Sequence, residues 1–263
     1  MTNLVNKLDL TRFLQHISQD NLSIPSVNMT LTAWVDILGA TMLGRNPQFA
    51  DAYREQHLSN GISGLRELMG CDDRVMYLIS EIACLEALKN DGMLSEIDLC
   101  EHVKSLAHQI DLTETEPSST APIITASGQI DTRRLTNATT DAFRFAARIY
   151  LCSLVPGFDR HQPQVMELLN KLTLCLESIP AGPDGFDRSL VWVYLIGGSV
   201  ATPGSLFMSS FKGRCAALGD AAGCGSFGRM TRILEILWAR RESGWEGSWR
   251  DVMQGNAWDF LLI

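Results

Sequence analysis

Residues 184–200, DGFDRSLVWVYLIGGSV, limit what this chain can become more than any other stretch. From Leu190 to Ile196 every side chain is apolar or aromatic, and an element without a polar face belongs at the centre of a fold. The run is far shorter than the ~18 apolar residues of a membrane span. Pro180, Gly182 and Pro183 close off what precedes it, Asp184 or Asp187 can cap its start, and Gly197-Gly198 weaken its far end. Val and Tyr lend it strand character, but its neighbours read helical, so the expectation is a buried central helix over 184–200.

Around this centre the apolar spacing is helical. Leu10, Leu14 and Ile17 suggest a first amphipathic helix. Leu31, Trp34, Val35, Leu38 and Met42 share one face of a second, with Thr30 as its cap and Gly44 as its stop. Short helices follow over Phe49 to His57 and Ile62 to Met69. Asp72 caps a longer one with the stripe Val75, Leu78, Ile79, Ile82, Leu85 and Leu88. Ser95 with Asp98 resembles a capping box for the next, and the two read as an antiparallel pair. Pro117, Pro122 and a Ser/Thr cluster mark residues 113–130 as a mobile loop. Neither side of it looks self-sufficient, so one domain over 1–263 is expected.

Beyond the loop, Leu135, Ala138, Ala142, Phe145, Ile149 and Cys152 line a helix running to Val155. Pro163 opens another that buries Val165, Leu168, Leu169, Leu172, Leu176 and Ile179. After the central run, Thr202-Pro203 has cap and first-turn chemistry for a helix with Phe207, Phe211 and Leu218. Phe227, Met230, Ile233, Leu234, Leu237 and Trp238 line one more, and Ser248 with Asp251 caps a short last helix. The closing AWDFLLI is too apolar for a free tail and should be packed. No alternating strand pattern, hairpin turn or repeat is evident. The fold class is all-α: a single domain of stacked antiparallel helices around the buried central one.

The chemistry is sparse. A net charge of −8 argues against a grip on phosphate backbones. The start, MTNLVNKLDLTRF, lacks the apolar core of a signal peptide, so the protein is expected inside the cell and on no membrane. Seven cysteines without a CxxC pair, and five histidines without metal spacing, predict reduced thiols and no metal site. Gly223, Gly225 and Gly228 spell GxGxxG, but dinucleotide binding needs a preceding strand, and GRCAALGDAA reads as helix. Ser209 with Lys212 spells SxxK without its companion motifs. GGSVA at 197–201 is one residue short of a nucleophile elbow, and His161 belongs to a capping turn. No catalytic or cofactor-binding residue is expected. The apolar and aromatic residues of the last third have core packing as their plain role. The functional alternative is an apolar ligand pocket lined by Trp192, Met208, Phe211, Met230 and Trp258, with Gly197-Gly198 leaving room.

Four stretches occur together and in order: GLRELMGCDDRVMYLISEIACLEALK (64–89), FRFAARIYLCSLVPGFDRHQP (143–163), PAGPDGFDRSLVWVYLIGGSVATP (180–203) and WRDVMQGNAWDFLLI (249–263). They resemble the regulatory domain of fungal-specific transcription factors of the binuclear zinc-cluster class, and most nearly the subgroup of acriflavine-sensitivity-control and sexual-development regulators. The resemblance implies a helical, nuclear, non-enzymatic domain regulating RNA polymerase II transcription. It implies partners among the transcriptional machinery or co-regulators, with a homodimer and an apolar, sterol-like ligand as further candidates. In that class a six-cysteine zinc cluster binds DNA. Cys71, Cys84 and Cys100 are too widely spaced to replace it, so zinc is expected only outside this chain. The chain is then a fragment of a longer factor or a relative without direct DNA binding.

Overall fold

Five helix starts in the computed structural model, which describes residues 26–114, 123–125, 128–258 and 260, carry a side-chain cap. Asp72, Ser95, Asp131, Ser205 and Ser248 each accept a backbone N–H from the first turn of the helix that follows. Such caps satisfy donors that a helix cannot pair internally. Ser248 and Asp251 complete the reciprocal capping box. Eleven α-helices result among the described residues, and the fold is all-α. The chain falls into two compact units, residues 1–113 and 114–263.

The first unit holds α1 (Val27–Leu43), α2 (Ala50–Leu58), α3 (Leu65–Met69), α4 (Asp73–Asn90) and α5 (Glu96–Asp111). Helix α4 is its hub, packing on the other four. Val75, Leu78, Ile79, Ile82 and Leu85 are buried as their spacing requires, while Leu88, at the helix end, is 40% exposed. Helix α1 starts a turn earlier than expected, after Ser26, so Thr30 is not a cap. Its buried hydroxyl donates instead to the Ser63 carbonyl at 3.0 Å. The buried face of α1 is Met29, Ala33, Trp34, Ile37, Leu38 and Met42, and Leu31 is left 40% exposed. Apolar residues lie on both sides of this helix, and periodicity could not say which side meets α4. Gly44 ends it in the left-handed region at φ 60, as its position suggested. The helix expected at Leu10, Leu14 and Ile17 lies outside the described residues.

The described residues of the stretch 113–130 include a short backbone pairing. Ile124 and Ile130 form an isolated antiparallel bridge, Thr125 N–H donates to Gln129, and Asp131 N–H donates to Ile123. These bonds lead the chain directly to the Asp131 cap. Residues 115–122 and 126–127 lie outside the described set.

The second unit comprises α6 (Thr132–Cys152), α7 (Pro163–Ser178), α8 (Val191–Val200), α9 (Leu206–Leu218), α10 (Gly225–Glu242) and α11 (Trp249–Gly255). Helix α8 touches α6, α7, α9 and α10. Every residue from Leu190 to Ile196 is at most 3% exposed. The central helix is shorter than the sequence suggested: residues 187–190 form a 3₁₀ turn, and α8 begins only at Val191. Helix α6 ends at Cys152, and its buried face includes Phe143, Arg144 and Tyr150, while Phe145 is only half-buried. Thr202-Pro203 forms a turn rather than a cap, with Ser205 N–H donating to the Thr202 carbonyl before α9 starts.

Candidate functional site

The side chains proposed for an apolar pocket fall into different settings. Trp192 on α8 turns toward α6, stacking on Phe143 at 5.8 Å and meeting Tyr150 edge-on at 6.1 Å. Phe211 on α9 sits in an aromatic cluster with Tyr194, Phe227 and Trp238, at centroid distances of 5.4, 6.1 and 5.8 Å. Met230 is buried on α10, Met208 is half-exposed on α9, and Trp258 lies beside Phe260 and Arg232. The room that Gly197 and Gly198 were expected to leave is filled. A Cβ on Gly197 would stand 2.6 Å from Phe207 and 2.9 Å from Leu172, and one on Gly198 would stand 2.5 Å from Leu234. The two glycines let α7, α9 and α10 approach α8 closely; they do not hold a void open.

The same region contains a polar node. Asp187, on the 3₁₀ turn, has no exposed surface. It accepts from Arg214 Nε at 2.6 Å, Tyr194 OH at 2.6 Å and Gly182 N–H at 3.2 Å. Arg214 also donates to the carbonyls of Leu176 and Ile179, at the C-terminal end of α7. Burial pushes the Tyr194 hydroxyl well above its ordinary range, so it stays neutral and donates. Asp187 was read as a helix cap and Arg214 was not singled out. The only local signal was an ionisable residue beside an apolar run.

The first unit carries a surface cavity of about 240 Å³ between α1, α2 and the start of α4. His57 stacks on Tyr77 across its wall at 4.1 Å. Burial and the Arg74 cation hold the His57 imidazole below its ordinary value. Asp73 is already committed, accepting the N–H groups of Ser63 and Arg66 at 2.7 and 3.0 Å. Tyr53 donates to Asp36 at 3.0 Å, and burial drives its hydroxyl far above the usual range. Asp36 and Asp73 are thus both engaged in hydrogen bonds within the unit. A second surface hollow of about 450 Å³ lies along residues 46–54 beside Cys84 and Leu88. None of the five pocket candidates lines either cavity.

The motif-like fragments are accounted for locally. Ser209 and Lys212 are exposed on the surface of α9, and Ser199 Oγ donates back to the Ile196 carbonyl of its own helix. Gly225 opens α10 directly after a 3₁₀ turn, and Gly228 packs against the Gly223 backbone, so no strand aims this GxGxxG at a ligand. The His161 N–H donates to Asp159 Oδ1 at 2.9 Å, and Arg160 pairs with Glu246 at 2.6 Å. Among the described residues no three His, Cys, Asp or Glu side chains cluster as metal ligands. Burial raises the thiols of Cys84 and Cys215 to about 11 and that of Cys175 to about 12, as expected of packing residues. No described helix is long and apolar enough to cross a membrane.

No solved structure matches the chain significantly. The transcriptional regulatory protein pro1 of Neurospora crassa is 50% identical over 291 aligned residues, which cover 100% of this chain and 42% of the relative. The chain thus spans less than half of that protein's length. The model of the fungal specific transcription factor domain matches residues 1–263. With the whole length matched and the all-α fold in place, the chain belongs to the fungal specific transcription factor domain family.

Proposed function

We propose that this chain is the regulatory and interaction domain of a fungal RNA polymerase II regulator, with DNA contact supplied by a zinc cluster outside residues 1–263. The observation that carries the reading is the family match over the full chain, joined to 50% identity with a protein named as a transcriptional regulator. Both compact units lie within that match, so they are taken together as one regulatory domain. The domain works in the nucleus without catalysis, and its partners are co-regulators, the transcriptional machinery or a second copy of the chain. The residues present do not fit the zinc of the family: the buried thiol of Cys71 is raised by burial, and no described cluster offers a ligand set. Sensing of an apolar, sterol-like ligand is the less favoured reading, because the side chains around Gly197 and Gly198 already occupy the space it needs.

Fusion to a heterologous DNA-binding domain tests the reading. In a fungal host the fusion is expected to raise or lower transcription of a matched reporter relative to the DNA-binding domain alone. A reporter unchanged in either direction counts against it.

A further inference from the structure

Paired arginines occur twice in the sequence, each with a hydroxyl residue two positions on: Arg133-Arg134-Leu135-Thr136 and Arg240-Arg241-Glu242-Ser243. Protein kinases choose substrates by charge pattern, and arginines three and two residues before the acceptor suit a kinase with an acidic cleft. The structure separates the two matches. Thr136 is half-buried inside α6, with helix on both sides of it. Ser243 is exposed and is the first residue beyond α10. It opens the turn 243–247 that leads to α11. Its Oγ donates to the Arg240 carbonyl at 2.6 Å, and the N–H groups of Gly244 and Trp245 return to Arg241 and Arg240. Both arginines help to close this turn. The Arg240 guanidinium lies 5.3 Å from the Trp245 ring centre, and Arg241 donates to the Ser199 and Gly247 carbonyls.

From the turn before α7, Arg160 forks the Glu246 carboxylate at 2.6 and 3.2 Å. The arginine is 16% exposed at its side chain and the glutamate 71%, so the carboxylate is the part that can leave. Burial and the neighbouring Arg160 charge lower the Arg241 guanidinium to about 10, a sign that cations crowd this corner. We propose that Ser243 is a phosphate acceptor for an arginine-directed protein kinase, and that the Arg160–Glu246 pair gates it by holding the turn closed. A kinase cleft reads the two arginines only when the turn has opened and freed them. The end of a helix opens at low cost, and an exposed ion pair adds only a modest hold. In the transfer, Ser243 Oγ attacks the γ-phosphorus of ATP. The new O–P bond forms as the bond to the bridging oxygen of ADP breaks, and the hydroxyl proton passes to the carboxylate base of the kinase. The phosphorylated Oγ has no proton left for the Arg240 carbonyl. Its phosphate carries more charge than a carboxylate and competes with Glu246 for Arg160, so the turn stays open.

The test uses the purified full chain with ATP and the catalytic subunit of cAMP-dependent protein kinase, an arginine-directed enzyme. Mass spectrometry is expected to find one phosphoryl group on Ser243, lost in Ser243→Ala, with Thr136 unmodified. Glu246→Gln, which gives up the charged fork, should be phosphorylated about one-and-a-half to five times faster than the parent. In the phosphorylated chain the amides of Trp245 and Gly247 should exchange with solvent faster than in the unmodified one, while those of α8 stay as they were. A chain left unmodified at Ser243, or modified at Thr136 in preference, overturns the acceptor. A parent rate for Glu246→Gln overturns the gate, and unchanged exchange at Trp245 and Gly247 overturns the competition for Arg160. The inference goes beyond the regulatory reading and does not rest on it: the kinase assay decides one and the reporter fusion the other.

Discussion

Asp187 is a carboxylate without contact to water, and three donors hold it there: Arg214, Tyr194 and the Gly182 N–H. Arg214 is 8% exposed at its side chain and simultaneously satisfies the last carbonyls of α7. Taking one partner from a buried ion pair strands the other charge, at about 3–5 kcal/mol. Arg214→Met is therefore expected to lose about that much stability in urea unfolding, while Asp187→Leu/Arg214→Met should be less damaged than either single change. A parent-like midpoint for Arg214→Met contradicts the role given to this node. At Gly198 the argument is steric. An added methyl meets two Leu234 methyls at 2.5 and 2.7 Å, with Cγ of the same side chain behind them at 3.2 Å. Alanine gains up to about 1 kcal/mol of helix propensity, but overpacking a tight core costs about 1–3 kcal/mol. Gly198→Ala should melt below the parent; a higher melting temperature would show that Leu234 yields freely.

Helices here are held to one another by side chains that finish each other's ends. Asp36 of α1 accepts the N–H groups of Gln48 and Phe49 at the approach to α2. Trp238 and Arg241 of α10 donate to the Gly198 and Ser199 carbonyls at the end of α8, at 2.9 and 2.6 Å. The α2–α4 contact has a titratable member, His57, stacked on Tyr77 and held below its ordinary pKa of 6.5 by burial and by Arg74, with Glu81 opposing. The unfolded chain then takes up the proton first. Stability from this group is full above pH 6.5 and declines as pH falls toward the lowered folded value. Thermal unfolding between about pH 7.5 and 5.5 should show a falling melting temperature that His57→Phe, which keeps a ring in the stack, reduces. An unaltered slope in the variant would assign the pH response elsewhere.

At the scale of the whole chain, the net charge is −8 over 263 residues. Binding of duplex DNA draws on cationic contacts with phosphate, and an acidic surface opposes them. The isolated chain is therefore expected to leave duplex DNA unshifted in electrophoresis at physiological salt, and a retarded complex would overturn this. The boundary between the two compact units, at Thr113 and Glu114, falls where Pro117, Pro122 and the Ser/Thr cluster begin to interrupt the apolar periodicity. The matched family runs through both units, which is why function is assigned to them jointly.

What the sequence determined by itself is what local forces decide. Asp72, Ser95 and Ser248 cap helices through bonds to residues two or three positions on, Gly44 and Gly70 end them by adopting φ near 60–70, and the unbroken apolar run from Leu190 to Ile196 could only be buried. The tertiary structure decided what depends on distant partners. Arg214 reaches Asp187 across 27 residues and Leu176 across 38, so an apparent helix cap became a buried ion pair. Trp238 reaches Gly198 across 40, and Thr30 finds Ser63 across 33. Gly197 and Gly198 looked like room for a ligand in one dimension, and only three converging helices show that Phe207, Leu172 and Leu234 use that room. Short-range hydrogen bonds and continuous hydrophobicity are written along the chain; the pairing of a buried charge and the filling of a cavity are set by whichever surfaces the fold brings together.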